Sequence, residues 1–164
     1  LLNKTAMQNY VESFLKTQSE DSIHALFIVD LDNFKAVNDT LGHVFGDKVL
    51  VDAASKLSRV FSEKDLIGRI GGDEFCAFLN LSAFDDHASA HRIIVQKGNS
   101  LKAAMHETYS GANGKEVTVS ASIGIALYNR DGFDYMTLYN NADKALYVSK
   151  EHGKNTYTFY QKQS

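Results

Sequence analysis

The segment His24-Ala25-Leu26-Phe27-Ile28-Val29-Asp30-Leu31 constrains this chain more than any other. It is too apolar for either alternating face to meet solvent, so it belongs in the middle of a sheet. Whatever fold forms must cover that strand on both sides. It must also accommodate Asp30 and Asp32, which arrive where the strand ends.

The remaining periodicity supplies the cover. Met7, Tyr10, Val11, Phe14 and Leu15 predict a helix over 5–18 with Thr5 as its cap. Val49, Leu50, Ala53, Ala54, Leu57, Val60 and Phe61 predict a one-faced helix over 45–61. Leu66 to Ile70 and Phe75 to Leu79 are short apolar runs around Gly71-Gly72-Asp73-Glu74, the pattern of a β-hairpin. A helix over 85–107, a strand from Val117 to Tyr128, a helix over 134–151 and an edge strand from Thr156 to Tyr160 follow. Residues 110–114 read as a plain turn. The order implies an α+β domain with a ferredoxin-like β-α-β-β-α-β core, a mainly antiparallel sheet with flanking helices, the frame of polymerase palms. Fold alone does not give function.

Composition removes several classes of function. At 164 residues the chain fits one domain spanning 1–164, large enough to hold a core without disulfides or structural metal. Cys76 is the lone cysteine, which rules out a disulfide framework and a Cys-rich zinc site and suits a reducing, cytoplasmic setting. With 17 basic and 20 acidic residues, net charge −3, a broad face for nucleic acid or anionic lipid is not expected. No apolar run reaches the ~20 residues of a membrane span, and there is no signal-peptide pattern. The chain starts at Leu1 rather than Met, so we expect a domain excised from a longer protein, which a membrane anchor elsewhere would not contradict.

Acidic residues gather where strands end. Asp30 and Asp32 share a face if the backbone stays extended, and Asp73 and Glu74 lie at the hairpin tip. Carboxylates converging from neighbouring strands, without thiolates, suit Mg²⁺ or Mn²⁺. Spacing alone leaves open that these residues merely cap and populate turns. Gly71 and Gly72 bare the backbone there, which lets a phosphate or sugar approach. Other motifs fail. Gly114-Lys115 lacks the leading glycine and the hydroxyl residue of a P-loop, His87 and His91 lack a third ligand, and Cys76 sits inside an apolar strand.

Arg69-Ile70-Gly71-Gly72-Asp73-Glu74-Phe75 resembles the motif that names the GGDEF family of diguanylate cyclases. Asp30-Leu31-Asp32-Asn33-Phe34-Lys35-Ala36-Val37-Asn38-Asp39 is similar to that family's D-x-D-x-F-K-x-x-N-D, with Gly42-His43 and Gly46-Asp47 following. Ser122-Ile123-Gly124-Ile125-Ala126 resembles its S-x-G-x-A strand, and Ala142 to Tyr147 with Lys150 and Gly153-Lys154-Asn155 resembles its closing helix. Leu1-Leu2-Asn3-Lys4 looks like the tail of its opening motif, so the likeness spans essentially the whole chain.

The resemblance implies a reaction: two GTP condense into cyclic di-GMP with release of two pyrophosphates, on a homodimer whose two sites face each other. It implies two ions of Mg²⁺ or Mn²⁺ per site, held by Asp30, the Leu31 carbonyl and Asp73. Asp73 and Glu74 take the positions associated with catalysis, and Asp32 looks secondary as a ligand. Asn38 and Asp47 match the pair that reads guanine, and His43 matches a further substrate contact. Lys35, Lys150 and Lys154 match basic groups around the triphosphate, beside Gly71 and Gly72. Two departures stand out. Ser62 replaces the arginine of the R-x-x-D product-inhibition motif that ends here in Asp65, and Lys154 stands where arginine is common. The alternative reading is a GTP-binding regulatory module controlling an attached phosphodiesterase or output domain.

Overall fold

The computed structural model describes residues 1–162. The expected central strand is β1 (Ala25–Asp32), antiparallel to a neighbour on each side. Those neighbours are β3 (Glu74–Leu79), which forms a hairpin with β2 (Leu66–Arg69), and β5 (Glu116–Leu127). β4 (Glu107–Ser110) pairs antiparallel with the start of β5, and β6 (Thr156–Phe159) pairs parallel further along the same side. The sheet order is β2-β3-β1-β5-β4, with β6 added on β5. This is the expected α+β, ferredoxin-like arrangement.

Strand alternation divides the interior in two. Ala25, Phe27, Val29 and Leu31 face one core, closed by α2 (Phe34–Leu41), α3 (His43–Val60) and α4 (His87–Met105). Leu26 and Ile28 face the other, closed by α1 (Lys4–Leu15) and α5 (Tyr135–Glu151). Both faces of β1 are therefore buried, which explains its unbroken apolar sequence.

α5 sits unusually close to β5, and Gly124 permits it. A Cβ at Gly124 would lie 1.9 Å from the Ala142 carbonyl oxygen and 2.4 Å from the Leu146 nitrogen. Any side chain there would lift α5 off the sheet.

Several elements differ from the sequence expectation. α2 is a separate helix where a connection was expected; Val37 and the half-buried Phe34 and Leu41 pack onto the first core. The helix expected over 85–107 ends at Met105, because Glu107–Ser110 pairs with β5 as β4. Asn3, not Thr5, caps α1, accepting from the Ala6 amide at 2.8 Å. That helix ends at Leu15, three residues early. Cys76 is fully buried in the second core, as expected, and burial pushes its thiol pKa up.

Candidate functional site

The even-numbered positions of β1 point toward α5, so Asp30 and Asp32 continue the row begun by Leu26 and Ile28. Asp30 stands directly across from Glu74 on β3 and from Ser122 on β5. The ladder runs one step beyond β3, where the Leu31 amide donates to the Asp73 carbonyl at 3.1 Å. Asp30, Leu31 and Asp73 thus line one cleft of ≈ 340 Å³. Lys35 from α2, Lys150 from the last turn of α5 and Lys154 from the following loop supply its cationic side.

The two aspartates of β1 have different fates. Asp32 is buried and saturated: it accepts from Ser120 Oγ at 2.7 Å, Ser122 Oγ at 2.8 Å and the Asn155 amide at 3.0 Å. It ties β5 and the loop after α5 to the end of β1. Asp30 instead receives the Lys150 ammonium. Glu74 accepts from the Tyr139 hydroxyl of α5 at 3.2 Å.

Crowding shows in the titration of these groups. Burial and then the nearby Asp30 charge raise the Asp73 pKa. Burial also raises that of Glu74; the Tyr139 hydrogen bond opposes the rise, while the charges of Asp30 and Asp143 add to it. Burial works to lower the Lys150 pKa, but its hydrogen bond and charge pairing with Asp30 outweigh this and raise it. The cleft stores carboxylate repulsion that a cation relieves. Among the described residues no three His, Cys, Asp or Glu side chains are gathered closely enough to ligate one ion. The counter-charge paired with Asp30 is Lys150.

The remaining expected residues lie elsewhere. Asn38 belongs to α2, while His43 and Asp47 begin α3 across the Gly42 corner, whose φ of 91° suits glycine. None of the three lines the acidic cleft. α3 packs so tightly here that a Cβ on Gly46 would lie 2.0 Å from Asn38 Oδ1. Gly71 and Gly72 are exposed at the hairpin tip, where the Arg69 side chain donates to the carbonyls of Gly71 at 3.2 Å and Gly72 at 2.7 Å. Nothing lies within 4 Å of the position a Gly72 side chain would take.

Tyr139 and the serine pair on Asp32 were not singled out from the sequence. Ser122 belongs to the S-x-G-x-A stretch, but its partner is visible only once the β1–β5 register is known. Tyr139 carries a weaker signal, lying on the face of α5 that also bears Ala142 and Leu146.

A mainly antiparallel sheet with acidic groups at the end of β1 and the start of β3, flanked by helices on both faces, defines a palm-like α+β domain. Residues 1–156 match the family of the diguanylate cyclase GGDEF domain, and the chain belongs to that family. Diguanylate cyclase A of Treponema denticola is 38% identical over 134 residues, covering 82% of this chain and 34% of that protein. The cyclic di-GMP phosphodiesterase NbdA of Pseudomonas aeruginosa is 34% identical over 164 residues, covering 99% of this chain and 20% of that protein. This chain thus spans a fifth to a third of these curated relatives. The crystal structure of the GGDEF domain of TpbB from Pseudomonas aeruginosa superimposes with a TM-score of 0.84 at 31% identity, covering 99% of this chain and 98% of that one. No helix among the described residues is long and apolar enough to cross a membrane.

Proposed function

We propose that this chain is an active diguanylate cyclase domain that joins two GTP into cyclic di-GMP. The observation that carries the reading is the single cleft in which Asp30, Leu31 and Asp73 face Lys35, Lys150 and Lys154. A nucleoside triphosphate with divalent cations needs this pairing of hard oxygen donors and ammonium groups.

The residues fit a divalent ion chemically. Asp30, the Leu31 carbonyl and Asp73 offer oxygen only, and the repelling carboxylates already attract the Lys150 ammonium. They would hold Mg²⁺ or Mn²⁺, which when bound activates a ribose 3′-hydroxyl and offsets charge on the departing pyrophosphate. Lys150, freed from Asp30, turns to the triphosphate beside Lys35 and Lys154. Glu74, held by Tyr139, adds negative charge where the attacking hydroxyl must lose its proton. The Asp47 carboxylate accepts from the guanine ring N–H and amine, and the Asn38 amide complements it; adenine presents the opposite pattern. His43 adds a contact from the start of α3. Each domain holds one GTP, so two copies must face each other for each 3′-hydroxyl to reach the other's α-phosphate. This chemistry belongs in the cytoplasm, where GTP is supplied.

A regulatory reading has support of its own, because a relative matching nearly all of this chain is named a phosphodiesterase. One experiment separates the two. The purified chain is incubated with GTP and Mg²⁺ or Mn²⁺, the products are identified by mass spectrometry, and GTP and ATP binding are measured by calorimetry. We expect cyclic di-GMP and pyrophosphate, with binding that strongly favours GTP. Tight GTP binding without product would overturn the cyclase reading in favour of a regulatory module.

A further inference from the structure

The α2–α3 corner has few local side-chain restraints at its helix starts. α2 has 8 residues, and neither helix receives a side-chain cap at its start. The two meet at Gly42, the residue type with the greatest backbone freedom. Yet the corner carries Asn38 on one helix and His43 and Asp47 on the other. A base-reading pair split between two helices depends on whatever fixes their separation.

The β4–β5 hairpin touches both helices. At its tip, Gly111 lies against Leu41, so that a Cβ there would come within 2.8 Å of Leu41 Cδ2. The Asn113 amide donates to the Thr40 carbonyl at 3.4 Å. Both contacts are with the last turn of α2. On α3, the Tyr109 hydroxyl donates to Asp52, and its ring meets Phe45 edge-on at 6.1 Å between centroids. The buried Lys56 ammonium lies 3.0 Å from Asp52 and 3.0 Å from Glu107 Oε2, and 3.4 Å from the Tyr109 hydroxyl. Phe45 lies between His43 and Asp47 in the first turns of α3. The hairpin therefore holds α2 at Thr40 and Leu41 and α3 at Phe45, Asp52 and Lys56.

We infer that the β4–β5 hairpin, through Tyr109 and Asn113, is the positioning element that sets the spacing of Asn38 and Asp47 and hence discrimination of the nucleobase. This rests on the proposed GTP reading of the α2–α3 corner. Tyr109 and Asn113 touch no substrate; they act by holding two helices at one separation. A loosened corner loses the base-specific part of binding but keeps the triphosphate part, which resides in the separate cleft of Lys35, Lys150 and Lys154.

The test compares wild type with Tyr109→Phe and Asn113→Ala, singly and together. Calorimetry measures binding of GTP, ATP and ITP, which lacks the guanine amine, and steady-state kinetics separates kcat from KM. The double variant should lose about ten-fold in GTP affinity, leave ATP affinity unchanged, and so shrink the preference for GTP. In turnover KM should rise while kcat at saturating GTP stays within about two-fold, since the reacting groups lie elsewhere. Tyr109→Phe retains the ring against Phe45 and should fall between wild type and double variant. A lowered melting temperature with an undiminished GTP preference would show that the hairpin only adds stability, and would overturn the inference while leaving the cyclase reading intact. A wild type with no preference for GTP over ATP would remove both.

Discussion

The Lys150 ammonium, in the last turn of α5, rests on the Asp30 carboxylate at the end of β1. Two residues far apart in sequence thereby pair opposite charges in the cleft. The pair joins the helix that covers the sheet to the strand that carries the acidic groups, so α5 is part of the site and not only its roof.

Lys150→Met should expose both roles of that ammonium. Without its paired ammonium Asp30 is left to the repulsion of Asp73 and Glu74, and the nucleotide-free protein should melt at a lower temperature. GTP affinity should fall about ten- to a hundred-fold, the value of one charge-assisted contact to phosphate. Unchanged affinity in calorimetry would mean that Lys150 serves only to pair with Asp30.

Asp73→Asn should separate stability from activity. The folded-state Asp73 pKa is raised, first by burial and then by Asp30, so the ionised carboxylate costs stability at neutral pH. Removing its charge should hold or raise the melting temperature measured without metal. Turnover should drop by on the order of 10²-fold or more, since one of the oxygen ligands proposed for the metal is weakened. A variant that melts several degrees lower refutes the repulsion account; one that turns over GTP normally refutes the assignment.

His24 should make folding sensitive to mild acid. The buried ring accepts from the Leu81 amide through Nδ1 at 3.0 Å and shares a hydrogen bond of 2.9 Å with Gln18 through Nε2, which fixes the neutral tautomer. Burial lowers its pKa from 6.5 to about 4. The unfolded chain binds this proton from about pH 6.5 downward and the folded chain does not, so the stability contributed by neutral His24 is complete above pH 6.5 and drains away toward pH 4. The loss is on the order of 3 kcal/mol. NMR titration of the ring checks this directly: a midpoint near the ordinary histidine value would contradict it.

Gly124→Ala should be costly for its size. The added methyl meets backbone atoms of α5 at Ala142 and Leu146, which cannot swing aside as a side chain can. We expect a loss of about 3 kcal/mol in denaturant unfolding. Activity should fall as well, because lifting α5 carries Tyr139 away from Glu74 and Lys150 away from Asp30. A fully active and stable variant would show that α5 is more tolerant than this packing implies.

Feedback by product should be weak at the Ser62–Asp65 turn. Asp65 is already committed, accepting from the Ser62 amide at 2.8 Å, the Ser62 hydroxyl at 3.0 Å and the Asn80 amide at 2.9 Å. It has little left to offer a ligand, and Ser62 brings no guanidinium fork. Titrating cyclic di-GMP against initial rate should give little inhibition, and Asp65→Ala should lower stability without changing that curve. Potent inhibition abolished by Asp65→Ala would reverse the reading.

Much of the frame was legible because burial wrote it directly. β1 reads as central since both its faces are covered, and the long helices show their apolar stripes. α2 was missed because the 8-residue helix starts after Asn33, whose φ of 66° breaks the chain between strand and helix. β4 was missed because Glu107, Thr108 and Ser110 are exposed, leaving no apolar alternation to detect. In the site, the residues that present charge to the cleft were readable as motifs. The residues that hold them, Tyr139 on Glu74 and Ser120 and Ser122 on Asp32, depend on register and helix docking, which a linear pattern does not encode.

The outer margin of β2 is not bare: the Leu2 amide donates to Ile67 at 3.0 Å, and the Arg69 amide donates back to Leu2 at 2.9 Å. At the opposite margin β4 and β6 are each only 4 residues long. A sheet trimmed this way offers no extended template onto which a stray chain can knit, so it resists runaway fibre growth even when crowded. Two copies that meet in solution have little to gain by stitching their margins together, which leaves the encounter to be decided by side chains and by whatever ligand lies between them.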